Sequence, residues 1–125
     1  MTSAARPLPH WLTVSTAPAP AVVDGRACRT RAAFFEEAAR ALRFPGYFGH
    51  NWDAFADSLR DATAAGAVAL IVEHAEDLLS AEAPDQFGTL LAILTEAAKT
   101  GLTLSLRTTP AHEPDLRNRA AAALG

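Results

Sequence analysis

Six consecutive apolar residues, Ala67 to Val72 (AVALIV), constrain this chain more than any other segment. The run is short for a helix and leaves no polar face for water, which is the pattern of a strand covered on both sides in a parallel sheet. Parallel strands need long crossover connections, usually helices, and the flanking sequence supplies them. Ala21 to Val23 reads as a short strand ending at Asp24-Gly25, a pair suited to a tight turn with positive φ. Thr30 is placed to cap a helix running to about Leu42, with Phe34, Phe35, Ala38 and Leu42 on one side and Pro45-Gly46 closing the segment. Asn51 is placed to cap a second helix. There Trp52, Phe55 and Leu59, spaced i, i+3 and i+7, face the core and leave Asp53 and Asp57 together on a different side. Glu76 to Leu79 forms a short helical turn, Pro84 opens a helix carrying Phe87, Leu90, Leu91 and Leu94 to near Gly101, and Leu102 to Arg107 alternates as the last strand. The order strand, helix, helix, strand, helix, strand is an α/β fold with a small parallel sheet.

At 125 residues the chain has material for one domain and little for a deep cleft. The core domain is expected over residues 20–107. Residues 1–19 read as an extended, proline-rich arm in which Trp11 to Ser15 forms a short strand, an extra N-terminal edge for the sheet. Residues 108–125 read as a tail, either a surface helix starting near Pro114 or a frayed end. No stretch near the start has the length of a signal peptide and no run approaches a membrane span, so a cytoplasmic location is expected. The single Cys28 fits a reducing compartment and is expected to be a small buried or half-buried side chain.

The formal charge of −3 conceals a strong asymmetry. From Asn51 to Glu96 there are nine acids against one base, Arg60, while the remainder holds five acids and ten bases. Such an acidic middle repels nucleic acid and speeds encounter with a cationic partner, and no membrane partner is expected. Ordinary solvated faces account for most of the nine. Asp53, Asp57 and Glu96, with His50 nearby, have the residue types of acid–base or metal chemistry but no cleft to work in. The chain also has no metalloprotease, phosphate-loop, nucleophile-elbow or dinucleotide motif, and its histidines have no zinc spacing. Catalysis and a cofactor are therefore not expected. Binding needs less: carboxylates held on a rigid helix meet arginines or lysines at small entropic cost. Tyr47, an aromatic with a polar tip just before that helix, serves either as an interface contact or as a packing lid.

The run Phe44-Pro45-Gly46-Tyr47-Phe48-Gly49-His50-Asn51-Trp52-Asp53-Ala54-Phe55-Ala56-Asp57-Ser58-Leu59 resembles the signature of the barstar family of intracellular ribonuclease inhibitors. The similarity covers roughly residues 20–107. It implies a three-stranded parallel sheet flanked by helices, and a second helix that plugs the active site of a small basic ribonuclease. By that resemblance Asp57 matches the principal carboxylate in the nuclease's phosphate site, Asp53 the acid one turn earlier, and Glu96 an outlying acid that meets an arginine. Tyr47 and Phe48 match the loop aromatics, and Gly49 and Asn51 keep the loop. Two positions depart from the family: Ala56 stands where it has a tryptophan, and Ser58 where it has a cysteine. The resemblance implies a protein partner, either a small basic ribonuclease or a nuclease toxin domain, no cofactor, no nucleic acid, and a monomer when free. The alternative, motivated by Ala56, is an adaptor or regulatory domain on the same scaffold.

Overall fold

The computed structural model describes residues 7–15, 19–45 and 49–125. Three parallel strands, β1 (Ala21–Asp24), β2 (Val68–Glu73) and β3 (Leu102–Leu106), form one sheet in the order β1-β2-β3. Ala21 faces Leu70 across the first pair, and Val68 faces Leu102 across the second. The apolar run is thus the central strand, as its pattern requires: Leu70 and Val72 are fully buried, while Val68, Ala69 and Ile71 are half-buried. Helices α1 (Arg31–Leu42) and α2 (Trp52–Ala65) connect β1 to β2, and α3 (Pro84–Ala98) connects β2 to β3. A last helix, α4 (Glu113–Leu124), follows.

Local chemistry sets the helix boundaries. Thr30 Oγ1 accepts from the Ala33 N–H at 3.2 Å and Asn51 Oδ1 from the Ala54 N–H at 2.8 Å, so both caps act where their residue types indicate. α1 stops at Arg43, which turns left-handed at φ 57. The end at Leu42 agrees with the sequence expectation; only the left-handed turn at Arg43 is not visible there, because an arginine carries no such preference.

Two sequence expectations need correction. Residues 11–15 form no strand: the Leu12 N–H closes a turn onto the Pro9 carbonyl at 2.9 Å, and Trp11 and Val14 stand 74% and 78% exposed. The flanking prolines, lacking N–H donors, favour a turn over a ladder. Gly25 has no positive φ. The chain enters a single 3-10 turn (Gly25–Ala27), and the Asp24 carboxylate caps it by accepting from the Arg26 N–H at 2.9 Å. The glycine is needed for close approach: a Cβ there would lie 2.2 Å from the His74 carbonyl oxygen.

The core lies between the sheet and the inner faces of the helices, with Phe34, Phe35, Phe55, Phe87, Leu59 and Leu90 fully buried. Phe55 is edge-on to Phe34 at 5.3 Å, to Phe44 at 6.0 Å and to Trp52 at 6.0 Å, which anchors α2 by its inner side. α4 joins this core through Leu116. Arg119 of the same helix lays its guanidinium 3.9 Å from the centre of the Phe87 ring and donates to the Leu78 carbonyl at 2.7 Å. Thr108 Oγ1 donates to Glu76 Oε1 at 2.7 Å, tying the turn after β2 to the chain after β3 and holding the Glu76 carboxyl below the usual carboxylate range.

Cys28 is fully buried, and burial pushes its thiol up to about 12. Above about pH 8.5 the unfolded chain loses this proton while the folded chain keeps it, so stability falls as pH rises from there toward 12. At pH 8 a thiol reagent should leave the native protein unmodified and react stoichiometrically once urea unfolds it. Rapid labelling of the native protein would show that this part of the core opens readily.

Candidate partner-binding face

α2 has two sides with different work. Its inner side is committed: Phe55 and Leu59 are fully buried, and the half-buried Trp52 packs edge-on against Phe35 at 4.9 Å and donates through Nε1 to Gln86 Oε1 of α3 at 2.9 Å. At the far end Thr100 Oγ1 lies 3.0 Å from Thr63 Oγ1, so α2 and the chain around α3 are joined at both ends. Because the inner side is locked, the outer side is presented in a fixed orientation. Asp53 and Asp57 stand there, one turn apart and both exposed. Asp53 lies in the first turn, where negative charge complements the helix N-terminus.

Asp57 is 69% exposed and Glu96 on α3 is 73% exposed. Each is paired to a cation three residues further along its own helix: Arg60 Nη1 to Asp57 Oδ1 at 3.0 Å, and Lys99 Nζ to Glu96 Oε1 at 2.9 Å. These pairs were the part of the site that motif reading missed, although the i, i+3 spacing was there to be seen. In water such pairs are weak, about 0 to 1 kcal/mol each, and a better-placed cation displaces them readily.

Between α2 and α3 runs a groove of about 440 Å³, lined by Ala56, Leu59 and Arg60 on one wall and by Ala92, Ile93, Glu96, Ala97 and Thr100 on the other. It brings Glu96 to the same side of the molecule as Arg60 and, through Arg60, Asp57. Glu96 therefore borders the groove directly and Asp57 through its pair with Arg60, while Asp53 stands one turn from Asp57 on α2. Gly49 and His50 are exposed ahead of it, and the Asn51 N–H donates to the Gly49 carbonyl at 2.8 Å. Tyr47 and Phe48 lie outside the described residues. Among the described residues no cluster of three or more histidine, cysteine or acidic side chains could hold a metal ion, and no helix is long and apolar enough to cross a membrane.

Among the described residues this surface presents an open groove and exposed carboxylates on rigid helices, which suits recognition of a cationic surface. A family model described as Barstar (barnase inhibitor) matches residues 19–112, which takes in β1 through β3 and every residue of this face. No curated protein matches the chain.

Proposed function

Since the chain belongs to the barstar family, we propose that it is an inhibitor of a small basic ribonuclease or nuclease toxin domain, blocking the active site with the outer face of α2. Asp57 and Asp53 stand in for substrate phosphates in a site lined by cations, Glu96 meets a further cation on the rim, and Asn51, Gly49 and the loop aromatics Tyr47 and Phe48 complete the contact. The protein itself then performs no chemistry on RNA, and it acts in the cytoplasm as an immunity factor. The observation that carries this reading is the division of labour on α2. Its inner side is used by the core, while Asp53 and Asp57 are exposed and, among the described residues, Asp57 is held only by a weak surface pair with Arg60.

The test is inhibition. Against a panel of small microbial ribonucleases and nuclease toxin domains, the purified protein should suppress RNA cleavage competitively and at near-equal molar ratio. Association should slow steeply as salt rises, because screening at about 0.15 M confines attraction to roughly 8 Å, while dissociation should change much less. A panel with neither binding nor protection would favour the adaptor reading, and a salt-independent association rate would sink the charge-steered mechanism.

A further inference from the structure

The groove between α2 and α3 has an unusual make-up for the middle of an acidic face. Its walls are mostly small and apolar, Ala56 on one side and Ala92, Ile93 and Ala97 on the other, with the buried Leu59 beneath. Alanines on both walls leave an open slot between the helices. Charge is confined to its borders, where Arg60 and Glu96 stand. Its polar groups are already engaged: Thr100 Oγ1 bonds Thr63 Oγ1 at 3.0 Å and the Ala97 carbonyl at 3.1 Å. Among the described residues no buried side-chain nitrogen or oxygen lacks a partner. Nothing in the slot would orient a polar small molecule, whose pockets depend on a few convergent polar groups. An apolar group held by the rest of a protein interface needs no such groups.

We propose that this slot is the receptor for an aromatic side chain of the partner, inserted between the partner cations that meet Asp57 and Glu96. This rests on the inhibitor reading and names the partner's chemistry: an aromatic residue flanked by arginine or lysine. Charge complementarity supports that occupant, since acids stand beside the slot on α2 and on its α3 wall. A flat ring fits walls built from alanine, and aromatic residues bury about 150 to 250 Å² each, enough to fill a central contact. Arg60 adds a second attraction. When a partner cation takes Asp57, the Arg60 guanidinium is released at the edge of the slot, where it can lie over the ring.

The test uses the full chain and two peptides, N-acetyl-Trp-Arg-amide and N-acetyl-Ala-Arg-amide, titrated to millimolar concentration while amide and methyl resonances are followed by NMR. The tryptophan peptide should give saturable shifts at Ala56, Ala92, Ile93 and Ala97, and the alanine peptide should not. Ala56→Trp and, separately, the exposed-wall variant Ala92→Trp should abolish those shifts, with melting temperature showing that each variant remains folded. Equal shifts from both peptides, or none at the slot, would overturn the proposal. So would a concentration-dependent dimer that Ala56→Trp abolishes, which would give the slot to a second copy of the chain. With any nuclease that the wild type inhibits, Ala56→Trp should weaken inhibition at least tenfold. Unchanged inhibition would overturn the slot while leaving the inhibitor reading in place, and failure to inhibit any nuclease would overturn that reading while the peptide result stands by itself.

Discussion

Replacing Asp57 by alanine should weaken nuclease binding by at least about 2 kcal/mol, some thirtyfold in Kd, and leave the melting temperature almost unchanged. That scale is the general one for interface hot spots, for which the barnase–barstar pair is itself a standard example. The binding loss follows from what the complex would leave behind: partner cations desolvated in the interface with no carboxylate opposite them. The small effect on folding follows from geometry. Asp57 is 69% exposed, and among the described residues its ion pair is the one with Arg60 at 3.0 Å, a surface pair contributing at most about 1 kcal/mol. Alanine is also the better helix former, which offsets part of that loss. Titration calorimetry beside a thermal melt separates the two effects. A variant that melts far below the parent would make Asp57 a structural group and remove the main residue of the proposed face.

Two positions earlier on the same helix the opposite result is expected. Phe55→Ala should cost about 3 to 5 kcal/mol of stability, a large share of the roughly 5 to 15 kcal/mol that holds a domain of this size together. Phe55 is fully buried and its ring is edge-on to three others, so truncation removes those contacts and leaves a cavity that the rigid neighbours cannot fill. Urea unfolding followed by tryptophan fluorescence reads this directly, since Trp52 lies beside the cavity while Trp11 is mostly exposed. Where the variant remains folded it should still present Asp53 and Asp57. A cost below about 1 kcal/mol would mean that α2 is not anchored by this cluster.

The three strands, α1 to α3 and the two-sided character of α2 were legible because each is written in local signals: an apolar run for β2, capping residues at Thr30 and Asn51, and the Trp52, Phe55, Leu59 spacing; α4 stood only as one of two readings of the tail. What could not be read depends on contacts between distant segments. The role of Gly25 is set by the His74 carbonyl, far away in sequence, so its Asp-Gly neighbourhood pointed to the wrong turn. The absence of a strand over residues 11–15 reflects a local turn from Pro9 winning over alternation. The Trp52–Gln86 hydrogen bond and the slot beside Ala56 exist only once α2 and α3 are packed together. Ala56 was visible as a departure from the family's tryptophan, but the cavity it opens was not.

The sheet contains no hairpin, since both of its pairings are parallel and join segments far apart in sequence, Ala21 with Leu70 and Val68 with Leu102. Contacts of that kind form slowly, because long loops must close before any pairing is gained. They also cannot begin until the late strand has been made. At about 5 to 20 residues per second, a ribosome needs on the order of 3 to 10 seconds to go from the start of α2 to the end of β3. For much of that interval the motif-bearing helix exists as polypeptide without Leu90 and Leu94, and for nearly all of it without Leu102, part of the same core cluster. On the inhibitor reading proposed above, synthesis begun when a nuclease arrives would add these seconds before any capture, so protection from first contact would call for a standing pool of finished, folded protein.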